Sequence, residues 1–318
     1  RLYFYDPLRY LINYSLFVVS PSGLGSENIG FMTIPFVALL AVAKRILVSS
    51  TVLISAFHGF SLATSFLFVY LSIVQLLHTS MKSERLKELS ALAGGLLYVF
   101  SPISIFGWDK VLITHNHVFL NPVMFYLMLR YVVTDRFYYL FWALLVTFVF
   151  SANFSFAAAP VFFAFYPISL VLLLVYKRWI LNQSVHWKQL GVACIVFILL
   201  QAFHIVPQIA SMVTPGSVLY TSIFSAEGKF DRGLGYFSAI APSIKASINI
   251  LLVPQMQEVS KLLLFMVFVP FTVIVGLLLA VREQKKYTQT LIIFCVSFLI
   301  IFFFATANIS DAGLSFYK

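Results

Sequence analysis

Long apolar runs separated by short polar stretches recur along this chain, and eight of them are read as membrane-crossing helices: residues 51–77, 88–106, 119–133, 137–153, 157–176, 189–209, 260–281 and 288–307. A helix rises about 1.5 Å per residue, so about 20 mostly apolar residues cover a hydrocarbon core about 30 Å thick. Phe31–Ala43 is apolar but short, carries Pro35 and runs directly into Lys44 and Arg45. That pattern suits an interfacial or re-entrant helix better than a crossing. The expected fold is therefore all-α, a polytopic transmembrane bundle of about eight spans plus an interfacial helix. It is expected as a single membrane domain: an outer loop with the interfacial helix over 1–50, a six-span core over 51–209, a second outer loop over 210–259 and two further spans over 260–307.

Composition agrees. Of 318 residues, 61% are hydrophobic and 10% charged, with a mean hydropathy of +0.97. Soluble domains carry about 25% charged residues, so a water-facing surface is excluded. Cys194 and Cys295 both lie in apolar runs, with neither a disulfide framework nor a metal-ligand spacing. The 35 Phe and 16 Tyr supply lipid-facing and helix-packing surface, and pairs such as Tyr138 and Tyr139 fit an interfacial aromatic belt. Beginning at Arg1 without an initiator Met or signal-peptide pattern, the chain reads as an internal piece of a longer protein.

Orientation follows from Lys and Arg in the short connections. Lys82, Arg85 and Lys87, then Arg130 and Arg136, then Lys177, Arg178 and Lys188, then Arg282, Lys285 and Lys286 gather on one side, read as cytoplasmic. Both chain ends are then expected outside the cytoplasm. The net charge of +10 is spread over helix ends, which fits topology and anionic headgroups and excludes nucleic acid as the expected partner.

With few ionisable groups, their placement is the main functional signal. None of the acids falls in the middle of an expected span, which argues against carboxylate proton relays. His58 is read as the one ionisable group clearly inside an apolar run. The expected outer loops hold the polar clusters: Asp6 and Arg9, Ser20–Asn28, Trp108-Asp109-Lys110, His115 and His117, and Glu227 to Tyr236 with Arg232. A carboxylate placed there can act as general base on a hydroxyl, and cations can hold a phosphate leaving group. His115 and His117 lack a third ligand at a useful spacing, so no metal site is expected from them. Pro160, Pro167 and Pro207 are expected to kink their helices, and Asn121-Pro122 to mark a broken one.

Three segments carry a likeness. They are Leu2-Tyr3-Phe4-Tyr5-Asp6-Pro7-Leu8-Arg9-Tyr10-Leu11, Gly30-Phe31-Met32-Thr33-Ile34-Pro35-Phe36, and Gly94-Gly95-Leu96-Leu97-Tyr98-Val99-Phe100-Ser101-Pro102. In this order, over roughly the first 175 residues, the layout resembles the GT-C membrane glycosyltransferases, which take sugars from polyprenyl-phosphate donors on the outer membrane face. Within them it looks most like the large α-(1→3)-arabinofuranosyltransferases that build mycobacterial arabinan.

The resemblance implies an acidic residue in the first outer loop, expected a few residues upstream of Arg1. Among residues present, it nominates Asp6 and then Asp109 as catalytic acids, with Arg9, Lys110 and Arg232 on the phosphate and His115 and His117 binding substrate. Some members use a divalent cation, Mg or Mn, and others none, so the cofactor stays open. The implied partners are a polyprenyl-phosphate-linked sugar, an envelope glycan or lipid acceptor and membrane lipids. The implied location is the plasma (inner) membrane with the active face extracytoplasmic. Two non-enzymatic readings stand beside it: a translocator or flippase for a lipid-linked glycan, and a membrane component of envelope polysaccharide assembly.

Overall fold

The structure, a computed structural model, describes residues 2–15, 29–47, 49–78, 83–100, 116–154, 160–179 and 181–213. The chain divides into two compact units, Arg1–Leu219 and Tyr220–Lys318, and every described residue belongs to the first. Asp109, Lys110, His115, Arg232 and the expected spans at 260–281 and 288–307 lie outside the described residues.

Among the described residues the chain is helical throughout, without strands. Short helices α1 (Leu2–Tyr5) and α2 (Pro7–Tyr10) lead into a π turn at Leu11–Ser15. A 3-10 turn, Ile29–Thr33, opens α3 (Ile34–Leu47). There follow α4 (Ser50–Leu77), α5 (Glu84–Val99), α6 (His117–Thr134) and α7 (Phe137–Val149). A second 3-10 turn at Ser151–Phe154 precedes α8 (Pro160–Trp179) and α9 (Trp187–Val213).

Two of these helices are long and apolar enough to cross a bilayer: α4, with 28 residues, and α9 over the 24 residues Trp187–Ala210. Their most apolar windows are only 11% and 22% buried. A core helix of a soluble protein hides its apolar side chains, whereas these present them outward, as at Phe60 and Leu67 on α4 and Ile195, Leu199 and Val206 on α9.

Three expected boundaries change. Residues 101–106 of the expected span 88–106 lie outside the described residues, and its described part is helical from Glu84 to Val99, so the helix starts four residues earlier than expected. Its 16 residues reach about 24 Å, and its first two turns carry Glu84, Arg85, Lys87 and Glu88. The expected span 137–153 is helical for 13 residues, about 20 Å, before the chain tightens into the 3-10 turn. Pro160 kinks nothing, because it is the first residue of α8, where a missing N–H is no loss. Pro122, Pro167 and Pro207 do lie inside helices.

Local chemistry sets several of the ends. Asp6 Oδ1 accepts from Arg9 N at 3.1 Å and caps α2, with Pro7 at the first position. Ser83 Oγ accepts from Leu86 N at 3.4 Å at the start of α5. Asp135 stops α6 in the left-handed region, φ 58°, with its N–H on Tyr131 O.

Helix α6 is the centre of the packing, touching α4, α7 and α8, with Leu120, Leu129 and Val132 wholly buried. α5 packs along α4, where Gly95 lies against the ring of Phe66. α9 packs on α7 through Phe203 and Phe148, ring centroids 5.9 Å apart. Phe4, Phe36, Phe57, Phe119 and Phe150 interlock at centroid distances of 5.3 to 6.4 Å, joining α1 and α3 to α4, α6 and the end of α7.

Candidate functional site

The turn Ser151–Phe154 buries all four of its residues and carries one polar cluster, while a second polar row lies on α9. On one side, Asn116 Nδ2 donates to Asn153 Oδ1 at 3.3 Å, and Asn153 Nδ2 donates to His117 Nε2 at 3.3 Å. With Nε2 accepting, the imidazole proton sits on Nδ1, which faces Tyr166 Oη at 3.4 Å; that hydroxyl donates to Asn121 Oδ1 at 2.7 Å. Among these five side chains no buried nitrogen or oxygen is without a partner, and none of the five carries a charge. On the other side, Ser151 Oγ donates to the Met32 carbonyl at 2.6 Å.

The second cluster runs along one face of α9. Gln201, His204 and Gln208 are 0%, 0% and 1% exposed, at the i, i+3, i+7 spacing that stacks side chains on one face. Gln208 Nε2 donates to His204 Nδ1 at 3.3 Å and lies 3.9 Å from Met32 Sδ. The proton left on His204 Nε2 points to Gln201 Oε1 at 2.5 Å. Gln201 Nε2, buried, has no acceptor. The first cluster is closed, and this row ends in an unused donor.

Below the two clusters, between α6, α7, α8 and α9, lies an apolar cavity of about 310 Å³. Met124 and Met128, Leu144, Leu170 and Phe197 form its wall, and Tyr166, Phe154 and Thr147 line it as well. Pro167, Cys194 and Ile198 line it while being exposed, so it opens sideways between α8 and α9, onto the apolar outer face of α9.

The remaining expected site residues fall elsewhere. Asp6 and Arg9 are exposed and sit one turn apart on α2, where Asp6 serves as cap. Beside them Lys44 Nζ donates to Ser50 Oγ at 2.6 Å, and Ser50 Oγ to the Tyr5 carbonyl at 3.1 Å. His117, expected in a polar outer loop, opens α6 instead and is walled in at 4% exposure, both ring nitrogens facing protein partners. His58 is half-buried on α4, and it is not the one ionisable group in an apolar run: His204 lies buried in α9. Its signal was in the sequence as Gln201, His204 and Gln208 sharing a helical face of the 189–209 run. Asn153 and Tyr166 gave no such signal, because their partners come from α6.

The basic end holds its own pairs. Lys177, buried, donates to Asp135, whose carboxylate also faces His186 Nε2 at 3.5 Å. Arg130 donates to Gln75 Oε1 at 2.5 Å and Tyr139 Oη at 3.1 Å. Glu84, 2.5 Å from Lys87 Nζ, is held below the usual carboxylate range by that hydrogen bond. Trp179 and Trp187, both 71% exposed, flank this end like interfacial anchors. Among the described residues, no three His, Cys, Asp or Glu side chains gather as a metal site.

Compared with protein-family models, with curated proteins and with solved structures, this chain matches none.

Proposed function

We propose that this chain is the membrane domain of a glycosyltransferase that takes a sugar from a polyprenyl-phosphate donor on the extracytoplasmic face of the plasma membrane and passes it to an envelope glycan or lipid. The observation that carries the reading is a side-opening apolar cavity headed by a buried, uncharged, hydrogen-bonding layer. An isoprenoid chain suits the cavity, and a sugar suits neutral donors and acceptors. The eight-span bundle expected from hydropathy belongs to this proposal. So does its orientation, with the Trp179 and Trp187 end cytoplasmic and the Ser151–Phe154 end outward.

In this reading the acceptor hydroxyl attacks the anomeric carbon, forming the new C–O bond as the bond to the phosphate oxygen breaks. A carboxylate takes the hydroxyl proton, and polyprenyl phosphate leaves with its charge held by cations. Asp109 and Lys110 precede His117 closely in the sequence and are assigned these two roles, with Arg232 and His115 as further contacts. Asp6 and Arg9 are the alternatives at α2, although capping already engages one Asp6 oxygen. A divalent Mg or Mn would add charge at the phosphate, where acidic side chains would have to hold it.

One observation favours a translocator instead: Gln201, His204 and Gln208 give α9 a polar face inside an apolar helix. The deciding experiment offers labelled polyprenyl-phosphate sugars and envelope glycan acceptors to the protein in nanodiscs. Transfer supports the enzyme. No transfer, with flipping of a labelled lipid-linked glycan in liposomes, replaces it with the translocator.

A further inference from the structure

Consecutive helices joined by a short connection ordinarily pack against each other. Helices α8 and α9, joined by residues 180–186, do not: α8 packs on α6 and α9 on α7, while α8 and α9 scarcely touch. The apolar cavity occupies the gap they leave, and Pro167, Cys194 and Ile198 form its mouth. Native interiors hold few voids larger than a water molecule. At about 310 Å³ this one is roughly twice the size of an apolar cavity that stays dry and takes up benzene. Its polar wall residues turn away, Thr147 Oγ1 donating to the Leu144 carbonyl at 2.7 Å and Tyr166 Oη to Asn121. Buried water needs several polar partners and finds none facing this space, whereas hydrocarbon needs none.

Depth decides which leaflet supplies that hydrocarbon. On α9 the lining runs from Leu190 to Ile198, which at 1.5 Å per residue lies about 5 to 17 Å beyond Trp187. One leaflet contributes about half of a hydrocarbon core about 30 Å thick. With the exposed Trp187 at the interface, the cavity falls within the leaflet at the basic end. An open track leads to it. On α9, Trp187, Gly191, Cys194 and Ile198 share one face, and on α8 Arg178, Leu174, Val171 and Pro167 repeat the same spacing in reverse. Counted from the hairpin, Arg178 stands level with Trp187, and Pro167 with Ile198. A Cβ at Gly191 would meet nothing within 4 Å, so the track is clear between the mouth and Trp187. Lys177 is held by Asp135, but the exposed Arg178 guanidinium has no bonding partner among the described residues.

We propose that the seam between α8 and α9 binds an anionic glycerophospholipid from the leaflet at the basic end, with its phosphate on Arg178 and one acyl chain in the cavity. The guanidinium fork matches phosphate oxygens, and its charge favours an anionic head over a zwitterionic one. This site stands apart from the transferase reading. An isoprenoid chain reaching in from the opposite leaflet enters only by displacing the acyl chain.

The test uses full-length protein in phosphatidylcholine nanodiscs with a trace of phosphatidylglycerol that carries a diazirine midway along one acyl chain. After illumination, the labelled residues are mapped by peptide mass spectrometry. Boundary lipid reaches Ile195 and Leu199 on the outer face of α9, whereas Met124 and Met128, both 4% exposed, are reached only from inside the cavity. Methionine label, relative to label on Ile195 and Leu199, should be about fivefold greater for this probe than for its phosphatidylcholine counterpart, the worth of one basic residue near an anionic lipid. Arg178→Gln should erase that difference. Ala193→Phe, which puts a ring into the cavity, should remove the methionine label from both probes while Ile195 and Leu199 stay labelled. Label confined to Ile195 and Leu199 in the unaltered protein would overturn the proposal, as would a methionine signal indifferent to the head group or to Arg178→Gln. Sugar transfer enters neither readout, so the site and the transferase stand or fall separately.

Discussion

Lys177 of α8, 1% exposed, donates its ammonium proton to Asp135, the left-handed residue that ends α6. The pair ties two connections together at the basic end of the helices, because Gln183 N returns to the Lys177 carbonyl at 3.2 Å and the same loop brings His186 to Asp135. Removing one partner of a buried pair leaves a charge without compensation, at about 3–5 kcal/mol when both are buried. Asp135 is about one-third exposed, so a smaller loss is expected for Asp135→Ala, about 1–3 kcal/mol. Lys177→Met should cost less, since it removes the buried charge itself. Unfolding of the two variants in detergent checks the order.

Gly95 and Gly94 should respond differently to the same change. A Cβ at Gly95 would lie 2.8 Å from the Phe66 ring and 3.3 Å from the Phe66 carbonyl, so α4 and α5 must separate; Gly95→Ala is expected to cost about 1–3 kcal/mol. At Gly94 the obstacle is Ile73 Cδ1, the end of a flexible side chain, and helix propensity returns up to about 1 kcal/mol. Gly94→Ala should therefore melt close to the unaltered protein, as a thermal denaturation series would read directly.

His117→Ala is expected to destabilise by about 2–4 kcal/mol, because Asn153 Nδ2 loses its acceptor and a buried cavity opens. Asn153→Ala and the double variant complete a cycle. A double-variant loss equal to the sum of the singles would show the two side chains uncoupled, against expectation.

The hairpin between α8 and α9 provides the topology test. Ser184 is exposed, and the turn is bordered by Arg178, Trp179, Trp187 and Lys188. Ser184→Cys, in a background lacking the native cysteines, should react with a membrane-impermeant maleimide only after the cytoplasmic side is opened. Arg9→Cys should react from outside in intact cells. The reverse pattern would invert the orientation.

Hydropathy made the helices legible and left their ends obscure. The 51–77 run became α4 almost unchanged, because nothing within it caps or breaks a helix. The ends of α5 and α7 were misplaced for opposite reasons. Glu84 and Lys87 look like loop residues until Ser83 caps the helix ahead of them, and Phe150–Phe154 look like more span until the backbone tightens. Asp6 reads as site chemistry in the sequence and also caps α2, since Asp-Pro serves both uses equally well. The polar layer was half legible. Gln201, His204 and Gln208 share a helix and could be found by period alone, whereas the meeting of Asn153, His117 and Tyr166 depends on how two helices and a turn pack.

The turn at Ser151–Phe154 also says something about manufacture. Its Ser151 hydroxyl completes a bond to the carbonyl of Met32, 119 residues earlier, and its Asn153 and Phe154 engage His117 and Tyr166. At a synthesis rate of about 5–20 residues per second, Met32 waits roughly 6–24 s for that partner to leave the ribosome. During the interval α3 cannot have its final seat, and neither the head of the cavity nor the α9 row can close around it. Helices α4, α5 and α6 can pair as they emerge; the site is the last part of this unit to come into being.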